Sequence, residues 1–255
     1  MIMRERAALG GTQLDSLDTS IVIQSIDTGV PHENIGAVGR MGRYGQRITE
    51  QHTETQDVTI VFGIDKPKTD LSGRREVFDK VIKWAEGCGW LTVNYMSGRR
   101  IWIDKAILPS AGDLREWTND FTLIFRAYCM PYWQDAEDTT SSNGSISVPG
   151  TKETAMEAEI TNVGLFTIDE MDVQAGDSHF YFDGLGLEPA EKLEIKHDSE
   201  GRLTIQIYDG TNRRSAYAKR TAESDDELWV KPGTRSISVS SENTSHTFSV
   251  KGRWT

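Results

Sequence analysis

Four glycines, Gly36, Gly39, Gly42 and Gly45, recur every third residue, with Arg40, Arg43 and Arg47 set among and just after them. Glycine amides beside guanidinium groups could cradle a phosphate. A dinucleotide loop, however, needs a strand, Gly-x-Gly-x-x-Gly and then a helix, and a P-loop needs Gly-Lys-Ser/Thr. Neither pattern occurs, and Ile48 to Ile64 reads as a strand, so the stretch is expected to be a flexible or arm-like loop. Gly176-Asp177-Ser178-His179-Phe180 carries part of a nucleophile elbow but lacks the closing glycine. With no α/β-hydrolase pattern around it, an exposed hairpin turn is expected. His32, His52, His179, His197 and His246 share no helix spacing and have no cysteine neighbours, which argues against a metal centre. Most are expected to be solvated. Glu170 with Asp172, or Asp225-Asp226-Glu227, would suit glycoside hydrolysis. With 39 acidic residues in the chain, close pairs arise from composition alone. Phe180, Tyr181, Phe182, Tyr217 and Trp229 could stack on sugar rings. Most of them are expected in a core, and Tyr217 and Trp229 are taken as the candidate glycan contacts. The residue chemistry points to no enzyme, no metal and no cofactor.

The elements that would carry these residues are mainly β. One segment has helical period: Val77, Phe78, Val81, Ile82 and Ala85 gather on one face. Ser72 or Asp70 can cap its start, Glu76–Lys80 and Asp79–Lys83 add i,i+4 pairs, and Gly87 can close its end. A helix of about 13 residues is expected there, and no other of note. Val58, Ile60 and Phe62 alternate with Thr59, Val61 and Gly63. Leu91–Tyr95 and Ile101–Ile103 flank a turn. Phe121, Leu123, Phe125 and Ala127 share one face of a later strand. Beyond residue 145, Leu193 and Ile195 precede a Ser199-Glu200-Gly201 turn and Leu203, Ile205 and Ile207 follow it, the pattern of a hairpin. Ile237, Val239, Phe248 and Val250 continue the alternation, with Asp209-Gly210 and Pro232-Gly233 as turns. This spacing suggests a sandwich.

The chain has 255 residues, 28 basic and 39 acidic, for a net charge of −11. Such a balance argues against gripping nucleic acid or anionic lipid through bulk charge. No apolar run approaches the 18 to 20 residues that would span a bilayer. The start, MIMRERAALGG, has no apolar core of a secretory signal. Cys88 and Cys129 are too few for a disulfide scaffold, and two buried thiols made in a reducing cytoplasm are expected. The clearest seam is Gln134–Ser145, QDAEDTTSSNGS, which has almost nothing to bury and reads as a linker. Residues 1–137 carry a net charge of −3 and residues 138–255 a net of −8, and five of the seven tryptophans precede the seam. Two domains follow: 1–137, a linker at 138–145, and a sandwich over 146–255.

The order of features resembles the distal tail proteins of long, non-contractile phage tails and of prophages in Gram-positive bacteria. The resemblance rests on RREVFDKVIKWAEGCGWLTV followed by MSGRRIWI, and on FTLIFRAYCMPYW, where Pro131-Tyr132-Trp133 closes the first domain. It rests also on FYFDGLGLEPAEKLEIKHDSEGRLTIQIYDG and RRSAYAKRTAESDDELWVKPGTRSISV, in which a Ser-Asp-Asp stretch precedes Leu-Trp and Pro-Gly. It implies an N-terminal ring-forming β domain with one helix and a C-terminal galectin-like β-sandwich. It further implies a structural role at the virion tail tip: a homo-hexamer, or a back-to-back dodecamer, joining the tail tube protein to the tail-tip hub protein. The outer domain would carry a receptor-binding protein or bind a host glycan. Long arms wrap neighbouring subunits in such rings, so Arg40, Arg43, Tyr44 and Arg47 are expected at subunit contacts. Neither sequence-specific nucleic-acid binding nor membrane insertion is implied. The alternative is a carbohydrate-binding module recognising cell-surface glycans; a glycan-degrading tail enzyme is a weaker one.

Overall fold

The computed structural model describes residues 5–39, 46–109, 120–198 and 202–255, with only the backbone described for 32–39 and 46–54. The chain divides into two compact units, the first ending at Gln134 and the second running from Asp135 to Trp254.

The helical period produces a helix over Leu71–Ala85, 15 residues against the 13 expected. Asp70 is the cap that forms, its Oδ1 accepting the Gly73 N–H at 2.9 Å, one of the amides a helix start would otherwise leave unpaired. Val77, Phe78, Val81 and Ala85 are buried, as is Arg74, only 1% exposed, whose Nη1 donates to the Lys66 carbonyl at 2.7 Å. Glu76 pairs with Lys80 as expected (2.9 Å), whereas Asp79 pairs with Arg75 (2.9 Å) and not with Lys83.

The helix lies on an antiparallel sheet built around one long strand, Gln46–Ile64. Ile21–Asp27 pairs with it on one side, Phe121–Ala127 on the other, and Lys105–Ile107 extends the sheet beyond the latter. The register sets Val58 opposite Phe125, Ile60 opposite Leu123 and Phe62 opposite Phe121, so alternate side chains form one buried face. Phe121 touches Phe62 and the helix residue Phe78, each at 5.2 Å between ring centres. Trp84 stands edge-on to Phe125 at 5.6 Å while its Nε1 donates to the Thr12 carbonyl at 2.9 Å. Fully burying a side chain such as Phe78 contributes about 2–3 kcal/mol. In a second antiparallel sheet Gly89–Val93 and Arg99–Ile103 form the expected hairpin, with Leu91 opposite Ile101. Ala7–Leu9 and Thr12–Gln13 continue that sheet.

The second unit is a sandwich. One sheet runs in the order Thr139–Ser141, Thr244–Val250, Thr154–Asn162, Lys192–His197, Leu203–Tyr208, Arg213–Ser215, with Trp229–Val230 paired to Thr154–Asn162. The facing sheet runs Ser145–Val148, Gly233–Val239, Met171–Ala175, Ser178–Phe182. Their inner faces share one core that includes Met156, Ile160, Leu193, Ile195, Ile205 and Phe248 from the first sheet and Val173, Phe180, Phe182 and Ile237 from the second. The expected pairing at 192–208 forms, with Leu193 opposite Ile207 and Ile195 opposite Ile205; Ser199–Gly201 lie outside the described residues.

Three expectations are corrected. The segment 138–145 is no linker: Thr139–Ser141 pairs with Thr244–Val250, and Ser145 opens the strand that pairs with Gly233–Val239. Its strands are satisfied by partners about a hundred residues further on, a partnership that local composition does not encode. The glycine repeat is not all loop either. Gly36 and Gly39 belong to a strand, His32–Gly39, paired with the first part of Gln46–Ile64. Finally, Cys88 and Cys129 are exposed. Both flank Asp104: the Cys88 thiol donates to the Asp104 carbonyl at 3.2 Å, and the Cys129 amide donates to its Oδ2 at 2.9 Å.

The end of the chain returns to the beginning of the second unit. Trp254 Nε1 donates to Asp135 Oδ1 at 2.8 Å, and the Asp135 amide donates to the Gly252 carbonyl at 3.0 Å. The amides of Thr151 and Lys152 donate to the Arg253 carbonyl at 2.8 and 3.2 Å.

Candidate interaction surfaces

Of the residues expected at subunit contacts, Arg40, Arg43 and Tyr44 lie outside the described residues. Arg47 is placed by its backbone, opposite Val38 in the hairpin of His32–Gly39 with Gln46–Ile64.

Of the five aromatics, most of which were expected in a core, only two are buried and Tyr181 is half-buried. Phe180 and Phe182 are fully buried, while Tyr217 is 48% and Trp229 40% exposed. Tyr217 sits in a short 3-10 turn, Tyr217–Lys219, and Trp229 in the edge strand Trp229–Val230. Each ring has a guanidinium over one face, Arg220 at 4.4 Å from the Tyr217 centre and Arg253 at 5.3 Å from that of Trp229. A cation on one face leaves a single face of each ring for stacking.

The acidic Ser-Asp-Asp stretch works within its own unit. Asp225 Oδ2 accepts the His179 amide at 2.8 Å, the Ser224 hydroxyl bridges the Tyr181 amide and carbonyl, and Arg220 Nη1 donates to the carbonyls of Asp225 and Asp226 at 3.0 Å each. Gly176-Asp177 forms the expected two-residue hairpin turn, with Gly176 at φ +61° in the first central position that mirror-type turns reserve for glycine.

His197, expected to be solvated, is mostly buried between two carboxylates. Its Nδ1 is 3.4 Å from Glu157 Oε1 and its Nε2 is 3.5 Å from Glu227 Oε2. The bond to Glu157 raises the imidazole above its ordinary range against the opposing effect of burial. Burial works against the charge of Glu157, yet its bonds to His197 hold its carboxyl below the usual range. Among the described residues no group of three or more His, Cys, Asp or Glu is arranged to hold a metal ion. At Cys129 the Asp104 carboxylate, with burial, pushes the thiol up, the opposite of an activated nucleophile.

Sequence reasoning missed one surface. Val163, Leu165 and Phe166 are 61%, 87% and 80% exposed on the loop after Thr154–Asn162. The signal was present in Asn162-Val163-Gly164-Leu165-Phe166: an Asn two residues before a Gly is an Asx-turn pattern, which places the apolar residues that follow on a loop.

No family model matches the chain, and no curated protein matches it. Solved structures do. The crystal structure of the SPP1 Dit protein, described as a paradigm of the hub adsorption apparatus in phages infecting Gram-positive bacteria, matches with a TM-score of 0.71 at 13% identity, over 98% of this chain and 99% of that one. The chain has the fold of that hub protein. A phage P2 baseplate structure, in its activated conformation with Ca, matches over 99% of this chain and 98% of that chain, at 10% identity and a TM-score of 0.48, too loosely to bear weight. The fold, mainly β with several antiparallel sheets and one α-helix among the described residues, agrees with the resemblance drawn from the sequence.

Proposed function

We propose that the chain is a distal tail protein, a non-enzymatic structural component of a phage tail tip. The observation that carries this is the match to the SPP1 Dit protein, which spans both units of this chain and nearly all of that one. In this reading the first unit closes into a hexameric ring between tail tube and tail-tip hub proteins, and the second, the counterpart of a galectin-like domain, projects outward to hold a receptor-binding protein or meet a host glycan. Heterologous contacts repeated through a fixed rotation close into rings. Arg40, Arg43, Tyr44 and Arg47 supply contacts to a neighbour, where the guanidinium groups meet acids of a chain that is acidic overall. Synthesis takes place in the bacterial host cytoplasm.

Light scattering at tens of micromolar tests the ring. Six chains of 28.6 kDa give about 172 kDa, and a back-to-back dodecamer twice that. A 28.6 kDa species that also fails to close in the presence of tail-tube ends would overturn it. Among the described residues, exposed Tyr217 and Trp229 are what favours glycan recognition. Trp229→Ala should abolish binding to host-wall polysaccharide in that reading; unchanged binding removes Trp229 from the site.

A further inference from the structure

Single apolar residues on a surface need no explanation, but Val163, Leu165 and Phe166 stand together on one short loop. That loop is built to hold them. Asn162, fully buried, donates through Nδ2 to the carbonyls of Phe166 and Leu187 at 2.9 and 2.8 Å and accepts the Gly164 amide at 2.9 Å. The Val163 amide donates to the Asn243 carbonyl at 2.9 Å. A Cβ on Gly164 would come within 2.8 Å of the Asn243 Cβ, so the backbone passes where only glycine fits. Next to it the Thr167 hydroxyl donates to Glu188 at 2.9 Å. A loop fixed at this many points presents its apolar tip already ordered, and binding through it loses little conformational entropy.

The surroundings of the tip say what it fits. Between Lys152 and Lys192 lie 39 residues with ten acids and neither Lys nor Arg. Glu188 is bonded to the loop itself, Asp169 and Glu170 follow it, and Glu242 adjoins Asn243. Of the ten, Glu153, Glu159 and Glu191 pair with Lys231, with Lys192 and Lys196, and with Arg214, while Asp169, Glu170 and Glu188, the acids next to the loop, are exposed and have no Lys or Arg ion pair among the described residues. An apolar tip inside an acidic surround repels a copy of the same face and an anionic lipid surface alike.

We propose that residues 163–166 form a docking knob that seats in an apolar socket rimmed by Lys or Arg on a different protein of the assembly in which this chain works. The tail-tip reading supplies only which assembly that is. Leu165 and Phe166 fill the socket, and the acidic surround steers the encounter and rejects self-association.

The test places benzoylphenylalanine at Leu165 in the strain that encodes the chain, irradiates the culture during particle production, and analyses pelleted particles and soluble fraction separately. The expected result is a cross-link to a different polypeptide, at an apolar site flanked by Lys or Arg, with none from the same probe at exposed Thr211. With that polypeptide purified, the Leu165→Ser/Phe166→Ser variant should melt like the parent chain and bind at least about tenfold more weakly, and raising the salt should weaken the parent's binding. Cross-links only to a second copy or to lipid, or none in either fraction, overturn the knob. Absence of the chain from the particles overturns the tail-tip reading instead.

Discussion

His197 and Glu157 face each other on adjacent strands, and one carboxylate oxygen of Glu157 takes both the His197 amide, at 3.0 Å, and the ring Nδ1, at 3.4 Å. Glu227 lies on the other ring nitrogen, and Lys251 faces Glu157. The imidazole therefore titrates higher in the folded chain than in the unfolded one. The resulting stabilisation is complete below the ordinary value of 6.5 and is lost as pH rises through the higher folded value. The thermal midpoint of the second unit should fall over that window. His197→Gln should remove that part of the slope, leaving the variant about 1–3 kcal/mol less stable at pH 5.5 and closer to the parent at pH 8.5. Parallel curves for the two proteins would refute the assignment.

Phe78 packs on Phe121 and is 3% exposed. Phe78→Ala should destabilise the first unit by about 3–5 kcal/mol, and Lys83→Ala, on the exposed face, should stay within about 0.5 kcal/mol. Urea melts of the two variants decide it; equal losses would mean that the helix presents another face to the core.

Gly73 inverts a common rule. Alanine in place of a helical glycine usually gains about 1 kcal/mol. Here a Cβ would lie 2.3 Å from Oδ2 of the capping residue Asp70. The carboxylate must swing away and the cap is lost, so Gly73→Ala should gain nothing or destabilise, while Gly73→Ala in an Asp70→Ala background should gain. A double-mutant cycle measures the coupling, and additive effects would show that the cap does not constrain Gly73.

Gly150 sits at φ +110°, and a Cβ there would meet the Arg253 carbonyl at 2.4 Å. Gly150→Ala should destabilise the second unit by roughly 2 kcal/mol or more, from backbone strain and the displaced C-terminal segment together. A melting midpoint within a degree of the parent would contradict this.

What could be read from the sequence, and what could not, divides by the range of the interactions. The helix was legible because Val77, Phe78, Val81 and Ala85 state its period locally, and the 192–208 hairpin because Leu193, Ile195, Ile205 and Ile207 alternate around a turn. Thr139–Ser141 and His32–Gly39 were not, because hydroxyls and glycines carry no apolar period and these strands exist through their partners. The burial of Arg74 was not legible either, because the Lys66 carbonyl that takes its Nη1 lies eight residues away in a loop with no apolar period. At the surfaces, the Asn162-x-Gly164 turn signal for the loop at 163–166 was in the sequence but was outweighed by Leu165 and Phe166, which count toward a core until their neighbours are known, and nothing in the local pattern set exposed Tyr217 and Trp229 apart from buried Phe180 and Phe182.

Asp135 and Trp254, the first and last residues of the second unit, are joined by a hydrogen bond of 2.8 Å. A module whose two ends meet behaves as a transplantable cassette: it can be dropped into a loop of another protein with both junctions side by side. The same closure allows new termini to be opened at an exposed turn such as Asp209–Asn212 with the old ends linked by a few glycines.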